Sequence, residues 1–282
     1  MFEAALELMA EEGASTFGPR SFQEYAQANG LPNAMTAPAI SVDSLKGLPA
    51  ELRAAGTMVF RLGAAEGERN TQFVLAKHVN GWEDYFLLDE SVFSSAGAEV
   101  FIPSVSMKEL FAFQLLPALT ETSYVNLALA SGLLAHALRL DDERSAHVPA
   151  TGQSTFSFQV RPHSAYPVSW NHRRGQVEID ALFVAQRGGK AHLFLVEAKV
   201  SQGLQSLAKH KLVYPLLALR ASVPHYLPIV PVYVRAMAAE DGVHFCVCEC
   251  RWSTDDSSEP AIGDLRPAHV QRLVLPGYGR SR

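Results

Sequence analysis

Three carboxylates and one amine stand on two apolar segments of the chain, where buried strands seldom carry charge. Glu178 and Asp180 lie in one segment, VEIDALFV, and Glu197 and Lys199 end the other. Side chains alternate along a strand, so each pair is predicted to share one face. The Gly-Gly turn between the segments favours a hairpin, which would bring the four groups together at one end of a sheet.

Carboxylates held this close together repel one another and lose solvation, which is unfavourable unless a cation compensates them. Hard oxygen ligands of this kind suit Mg²⁺, with Mn²⁺ as a substitute. Such a metal polarises a phosphoryl oxygen and lowers the pKa of bound water. A neighbouring lysine orients the attacking water or neutralises developing charge. The four groups therefore predict hydrolysis of phosphodiesters. The alternative is a Glu197–Lys199 ion pair at a strand end, with Glu178 and Asp180 on a solvated edge.

The spacing Gly175-x-x-Glu178-x-Asp180, followed after sixteen residues by Glu197-x-Lys199, resembles that of the PD-(D/E)XK nuclease superfamily. The resemblance covers roughly residues 120–250. It implies an α/β fold: a restriction-endonuclease-like αβββαβ core with a mixed central sheet flanked by helices.

The same resemblance implies a role for each matching residue. Asp180 and Glu197 would be metal ligands, Glu178 an assisting acid and ligand, and Lys199 the catalytic lysine. Gln205 would correspond to a helical glutamine beside the site. Ile179 stands where the motif has proline, a position that varies within the superfamily.

Apolar periodicity divides the chain at about residue 100. Residues 1–100 suggest three short helices and a hairpin, the order of a winged helix, or else a partner-binding module. Residues 101–282 hold the nuclease-like domain, with helices expected over 107–118, 122–139 and 201–220 and strands between and after them.

The segment around the motif carries the residues expected to contact DNA. Residues 161–220 hold nine Lys and Arg against three Asp and Glu, whereas the chain as a whole has a net charge of −5. His172, Arg173 and Arg174 fall in a predicted loop between two strands, and such residue types bind phosphates. Lys209 would share a helix face with Gln205. A solvated surface is the alternative for each of these residues.

Three cysteines alternate in HFCVCECRW and lack the spacing of a zinc site, which predicts free buried thiols. The first thirteen residues contain four Glu and no Lys or Arg, unlike a secretion signal, so a cytoplasmic protein without membrane contact is expected.

The sequence thus predicts a Mg²⁺-dependent DNA endonuclease, a hydrolase of the restriction or defence type, with DNA and a second copy of the chain as partners. Two alternatives stay open. One is a structure-selective repair or recombination nuclease, similar to Holliday-junction resolvases. The other is a catalytically silent protein that binds DNA or a partner through its N-terminal module.

Overall fold

A computed structural model describes residues 1–65, 67, 70–106, 108–142, 147–252 and 260–278 of the 282-residue chain. These residues form nine α-helices and twelve strands, so the mixed α/β class predicted from the sequence is confirmed. The helices are α1 Glu3–Glu11, α2 Phe22–Ala28, α3 Thr36–Ile40, α4 Ala50–Ala54, α5 Asp89–Phe93, α6 Phe111–Gln114, α7 Glu121–Ala130, α8 Leu133–Ala137 and α9 His210–Arg220. The strands are β1 Thr16–Ser21, β2 Thr57–Ala64, β3 Thr71–Lys77, β4 Phe86–Leu88, β5 Ala98–Val100, β6 Ala150–Val160, β7 Trp170–Arg187, β8 Lys190–Val200, β9 Ser206–Ala208, β10 Ile229–Ala239, β11 Gly242–Trp252 and β12 Leu265–Leu275.

The largest sheet has seven strands in the order β5-β12-β11-β10-β8-β7-β6. Strands β6, β7 and β8 form an antiparallel meander, and α9 then carries the chain over to β10, which runs parallel to β8. The predicted β7–β8 hairpin is present. Its turn residues Gly188 and Gly189 have φ angles of 59° and 72°, which glycine adopts without steric cost.

The two faces of this sheet pack against different elements, because successive side chains of each strand point to opposite sides. Phe194 and Phe245 belong to an apolar cluster formed with α7 and α8. Tyr233 and Cys246 belong to a second cluster, which contains α9 and most of the buried residues from the first hundred positions. All three cysteines are free and buried, as the sequence predicted.

The N-terminal part has the predicted helices and hairpin, with an additional strand. Strand β1 pairs with β3, which gives a three-stranded sheet in the order β1-β3-β2. The third helix expected within residues 41–56 is reduced to a 3₁₀ turn and the five residues of α4.

Two predicted helices of the C-terminal part are also shorter than expected. The apolar helix is divided at Gly132, whose φ of 79° is left-handed, into α7 and α8. The helix expected over 107–118 contains only α6 among the residues described, and position 107 lies outside them.

Candidate active site

Asp180 lies in a β-bulge of β7, and its side chain points towards β8. Gly152 pairs with Ile179 whereas Ala150 pairs with Leu182, so two residues of β7 face one residue of β6. Such a bulge re-aims a side chain. Oδ2 of Asp180 accepts a hydrogen bond of 2.9 Å from the backbone N–H of Ala198, between the two residues of the predicted E-x-K motif.

Glu197 is almost completely buried, with 5% of its surface exposed. Burial raises the pKa of its carboxyl to about 7, although the nearby Lys199 ammonium opposes the rise; the Asp180 carboxylate adds to it. An ionised Glu197 therefore requires a compensating cation, and the side chain changes its charge close to neutral pH.

Lys199 supplies one such cation. Its Nζ lies 2.9 Å from Oε1 of Glu197 and 3.6 Å from Oε2 of Glu121, the first residue of α7. Burial lowers the pKa of Lys199, but the carboxylates of Glu197, Glu121 and Asp180 outweigh burial and raise it overall. Lys199 thus remains an ammonium ion at any physiological pH, which suits charge stabilisation and not proton abstraction.

A cleft with a volume of about 240 Å³ opens beside Glu197. Glu178, which is exposed, lines it from β7. Lys211, from the first turn of α9, lines it too, and its Nζ lies 3.1 Å from Oδ1 of Asp43. Burial lowers the pKa of Lys211, but Glu197 and Asp43 raise it overall, so this second amine is also cationic.

A family model described as a domain of unknown function, DUF6997, matches residues 93–259. The chain belongs to this family. No curated protein and no solved structure matches the chain. The DUF6997 segment contains Asp180, Glu197 and Lys199, whereas Asp43 lies outside it.

The three predicted metal ligands of the DUF6997 segment are not gathered into one cluster. Asp180 and Glu197 are close enough for their charges to interact, while Glu178 faces the cleft. In the part of the chain that the structure describes, no three His, Cys, Asp or Glu side chains are grouped closely enough to hold a metal ion by themselves. A metal here would rest on two carboxylates and water.

Gln205 does not lie on a helix, so the expected helical position of this residue is wrong. Residues Ser206–Ala208 form β9 and pair with β4, and α9 begins only at His210. The backbone N–H of Gln205 donates to Oδ2 of the buried Asp89 at 2.8 Å, and its carbonyl accepts from the backbone N–H of Asp89. These backbone contacts join the loop to α5.

Lys209 points into the interior and not towards the cleft, which corrects its expected exposure on a helix face. Only 1% of its surface is exposed, and Nζ donates to the carbonyl of Glu83. Burial lowers the pKa of this amine to about 7. A residue so placed has no free surface with which to contact a nucleic acid.

His172, Arg173 and Arg174 belong to β7 and not to the predicted loop. Arg174 is exposed and adopts a φ of 46° at a second bulge, where its N–H donates to Oγ of Ser157. Arg173 is half-buried. His172 is buried against Phe158, with ring centroids 4.5 Å apart, and burial lowers its pKa to about 4. It lines the cleft as a neutral ring, so it brings no positive charge to the phosphate contact expected of it.

Three charged residues of the cleft were not identified from the sequence: Asp43, Arg61 and Lys211. Arg61 carries a recognisable signal, because it is the one charge in TMVFRLG, an otherwise apolar strand. The position of Lys211 in the cleft depends on where α9 begins, which is His210 and not residue 201 as the sequence predicted.

Proposed function

We propose that the protein is a metal-dependent hydrolase of phosphodiester bonds in DNA. The observation that carries this proposal is the meeting of Asp180, Glu197 and Lys199 at one end of the β7–β8 hairpin. This chemistry requires a buried carboxylate, a second carboxylate and a permanent ammonium ion, and here the buried carboxylate, Glu197, lines an open cleft.

The topology supports assignment to a restriction-endonuclease-like core. A helix pair, an antiparallel meander of three strands, a crossover helix and a strand parallel to β8 follow one another in the order that the resemblance implies. The N-terminal sheet order β1-β3-β2 supports a winged-helix-like module.

The donor set fits Mg²⁺ or Mn²⁺. Mg²⁺ is commonly held by one or two carboxylates together with water and substrate phosphate, so the pair Asp180 and Glu197 suffices. Burial raises the pKa of Glu197 to about 7, and a bound divalent cation would favour its ionised form. When bound, the metal would polarise the phosphoryl group and lower the pKa of water.

Side chains of the protein would stabilise developing charge and bind the substrate. Lys199, held by Glu197 and Glu121, would place positive charge where negative charge develops on the phosphoryl oxygens. Glu178 and Lys211 on the cleft walls would contact the substrate beside the cleaved bond. Gln205, whose backbone is fixed to Asp89, would act only through an exposed side chain. Arg173 and Arg174 would contact the DNA backbone alongside.

A defence role, a second copy of the chain as partner and a location in the cytoplasm remain part of the proposal by analogy with the superfamily. Among the residues that the structure describes, no helix has the length and apolar character needed to cross a membrane.

The test is incubation of the full chain with supercoiled plasmid and with a branched DNA junction, each with and without Mg²⁺. We expect metal-dependent cleavage by the parent and a loss of roughly 100-fold or more in Lys199→Met, because a preorganised charge is removed. Lys190→Met, at the exposed hairpin turn, is the matched control and should cleave like the parent. Cleavage of the junction alone would indicate the structure-selective alternative. The proposal fails if the parent gives no metal-dependent product or if Lys199→Met cleaves normally.

A further inference from the structure

The wall of the cleft opposite the DUF6997 segment comes from the first 61 residues of the chain. Ser41, Asp43 and Arg61 line it, and they face Glu197 and Lys211. The cleft is therefore composite: the segment that carries the proposed catalytic groups supplies one side, and the N-terminal part supplies the other.

Arg61 is the one cation that the described residues place on the N-terminal wall of the cleft. Its neighbours Phe60 and Leu62 are fully buried, while Arg61 itself is half-buried and lines the cleft. Its Nη1 lies 3.3 Å from Oγ of Ser41. Among the described residues, the ion pair of the cleft joins Lys211 to Asp43, and no described carboxylate pairs with the Arg61 guanidinium.

The backbone of Arg61 is fixed against the DUF6997 segment. The hydroxyl of Tyr214, on α9, donates to the carbonyl of Arg61 at 3.1 Å. Two residues further on, Gly63 meets the carbonyl of Arg173 so closely that a Cβ at position 63 would lie 1.7 Å from that oxygen. The backbone of Arg61 is thus held against the DUF6997 segment, beside the cleft that Glu197 also lines.

The lining indicates what class of ligand fits. Arg61 and Lys211 are the cations of the lining, and guanidinium and ammonium groups suit a phosphate. Lys211 also pairs with Asp43, and the carboxylates of Glu178 and Glu197 border the same space. The volume of about 240 Å³ is below the roughly 300–1,000 Å³ typical of drug-sized ligands, which points to one unit of a chain in the cleft and not to a duplex.

We propose that Arg61 is a positioning residue that binds the phosphate of the nucleotide next to the cleaved bond, and that the N-terminal part is thereby a component of the substrate cleft. This inference rests on the proposed nuclease function. It assigns that function a single-stranded or locally unpaired substrate.

The test measures binding without cleavage. A fluorescently labelled single-stranded oligonucleotide is titrated with the full chain in EDTA at several salt concentrations, for the parent, Arg61→Ala, Arg61→Gln and Arg61→Lys. Arg53→Ala, an exposed arginine of α4, is the matched control. Thermal melting of each variant checks folding. Arg61→Gln serves if Arg61→Ala unfolds, since it keeps a group able to reach Ser41.

We expect Arg61→Ala and Arg61→Gln to bind roughly 10-fold more weakly, because a charge-assisted contact is lost. The slope of log affinity against log salt should fall by about 0.7, the value for one phosphate of a single strand. Arg61→Lys should recover most of the slope, and Arg53→Ala should bind like the parent.

Two outcomes would overturn the inference, and they are distinguishable. If Lys199→Met abolishes cleavage while folded Arg61→Gln keeps the parent's affinity and salt slope, Arg61 has no positioning role and the nuclease proposal stands. If the parent neither cleaves DNA nor binds the oligonucleotide, both proposals fall together.

Discussion

The Lys199 ammonium lies 2.9 Å from Oε1 of Glu197, in a place where water reaches only 6% of the glutamate side chain. The two groups depend on one another: the amine makes ionisation of a buried acid less unfavourable, and the acid keeps the amine charged. This coupling gives the site a measurable dependence on pH.

Glu197→Gln should change how stability varies with pH. The folded pKa, about 7, is above the ordinary value of 4.5, so the folded protein retains a proton that the unfolded chain releases. Stability contributed by this group is therefore lost as the pH rises from about 4.5 to 7. We expect Glu197→Gln to exceed the parent in unfolding free energy by roughly 1–3 kcal/mol at pH 8, with the difference shrinking towards pH 5. Urea unfolding at several pH values measures this. Glu240→Gln, at an exposed position, should follow the parent at every pH, and a constant offset for Glu197→Gln would contradict the prediction.

Mg²⁺ should stabilise the folded chain through the same carboxylates. A ligand that binds only the folded state raises the unfolding free energy, by about 2.7 kcal/mol at 100 times its Kd. We expect the Tm of the parent to rise with Mg²⁺ concentration and that of Asp180→Asn to stay constant. Asp241→Asn removes an acid that pairs on the surface with His244, and it should respond to Mg²⁺ like the parent. Equal shifts in all three proteins would place the metal elsewhere.

Asp89 should be essential for stability. It is fully buried, and it accepts hydrogen bonds of 2.8 Å from the Tyr233 hydroxyl, from Nε of Arg235 and from the backbone N–H of Gln205. Asp89→Ala leaves the Arg235 guanidinium buried without its carboxylate, which costs about 3–5 kcal/mol. The double variant Asp89→Leu with Arg235→Met should lose less, because it removes both charges. Urea unfolding would contradict this if the single variant lost under 1 kcal/mol.

Lys209→Met should change how stability varies with pH and leave the affinity for DNA unchanged, because Lys209 is buried away from the cleft. Its folded pKa of about 7 is below the ordinary 10.5, so the folded protein has released a proton that the unfolded chain still holds. The parent therefore gains stability from this group as the pH rises between about 7 and 10.5, and Lys209→Met should lack that gain. Affinity for the oligonucleotide should be unchanged. A fall in affinity without a change in the stability profile would show that Lys209 reaches the ligand.

Local patterns predicted the β7–β8 hairpin and the approach of Asp180 and Glu197 to Lys199, because alternation and a glycine turn act over a few residues. They did not predict that Glu178 faces the cleft instead. The start of α9 could not be found in the same way. Residues Ser206–Ala208 have a helical pattern but pair with Phe86–Leu88, and such a partner, more than a hundred positions away, is not visible in local sequence.

The cleft illustrates the same limit. Arg61 and Lys211 are ordinary residues in their own segments and acquire a shared environment only when the N-terminal part packs against α9. The aim of Asp180 at Ala198 depends on a bulge, which one residue of mismatch with β6 creates. The register between β6 and β7 is set by the packing of the whole sheet, so local sequence does not predict the bulge.

The close contact of Gly63 with the Arg173 carbonyl restricts which residues the chain can accept at position 63. Even a single methyl group at position 63 would force β2 away from β7 and would displace Arg61 from the cleft wall. Any lineage that preserves the composite cleft must therefore keep a bare backbone at this one position, however freely the surrounding surface drifts.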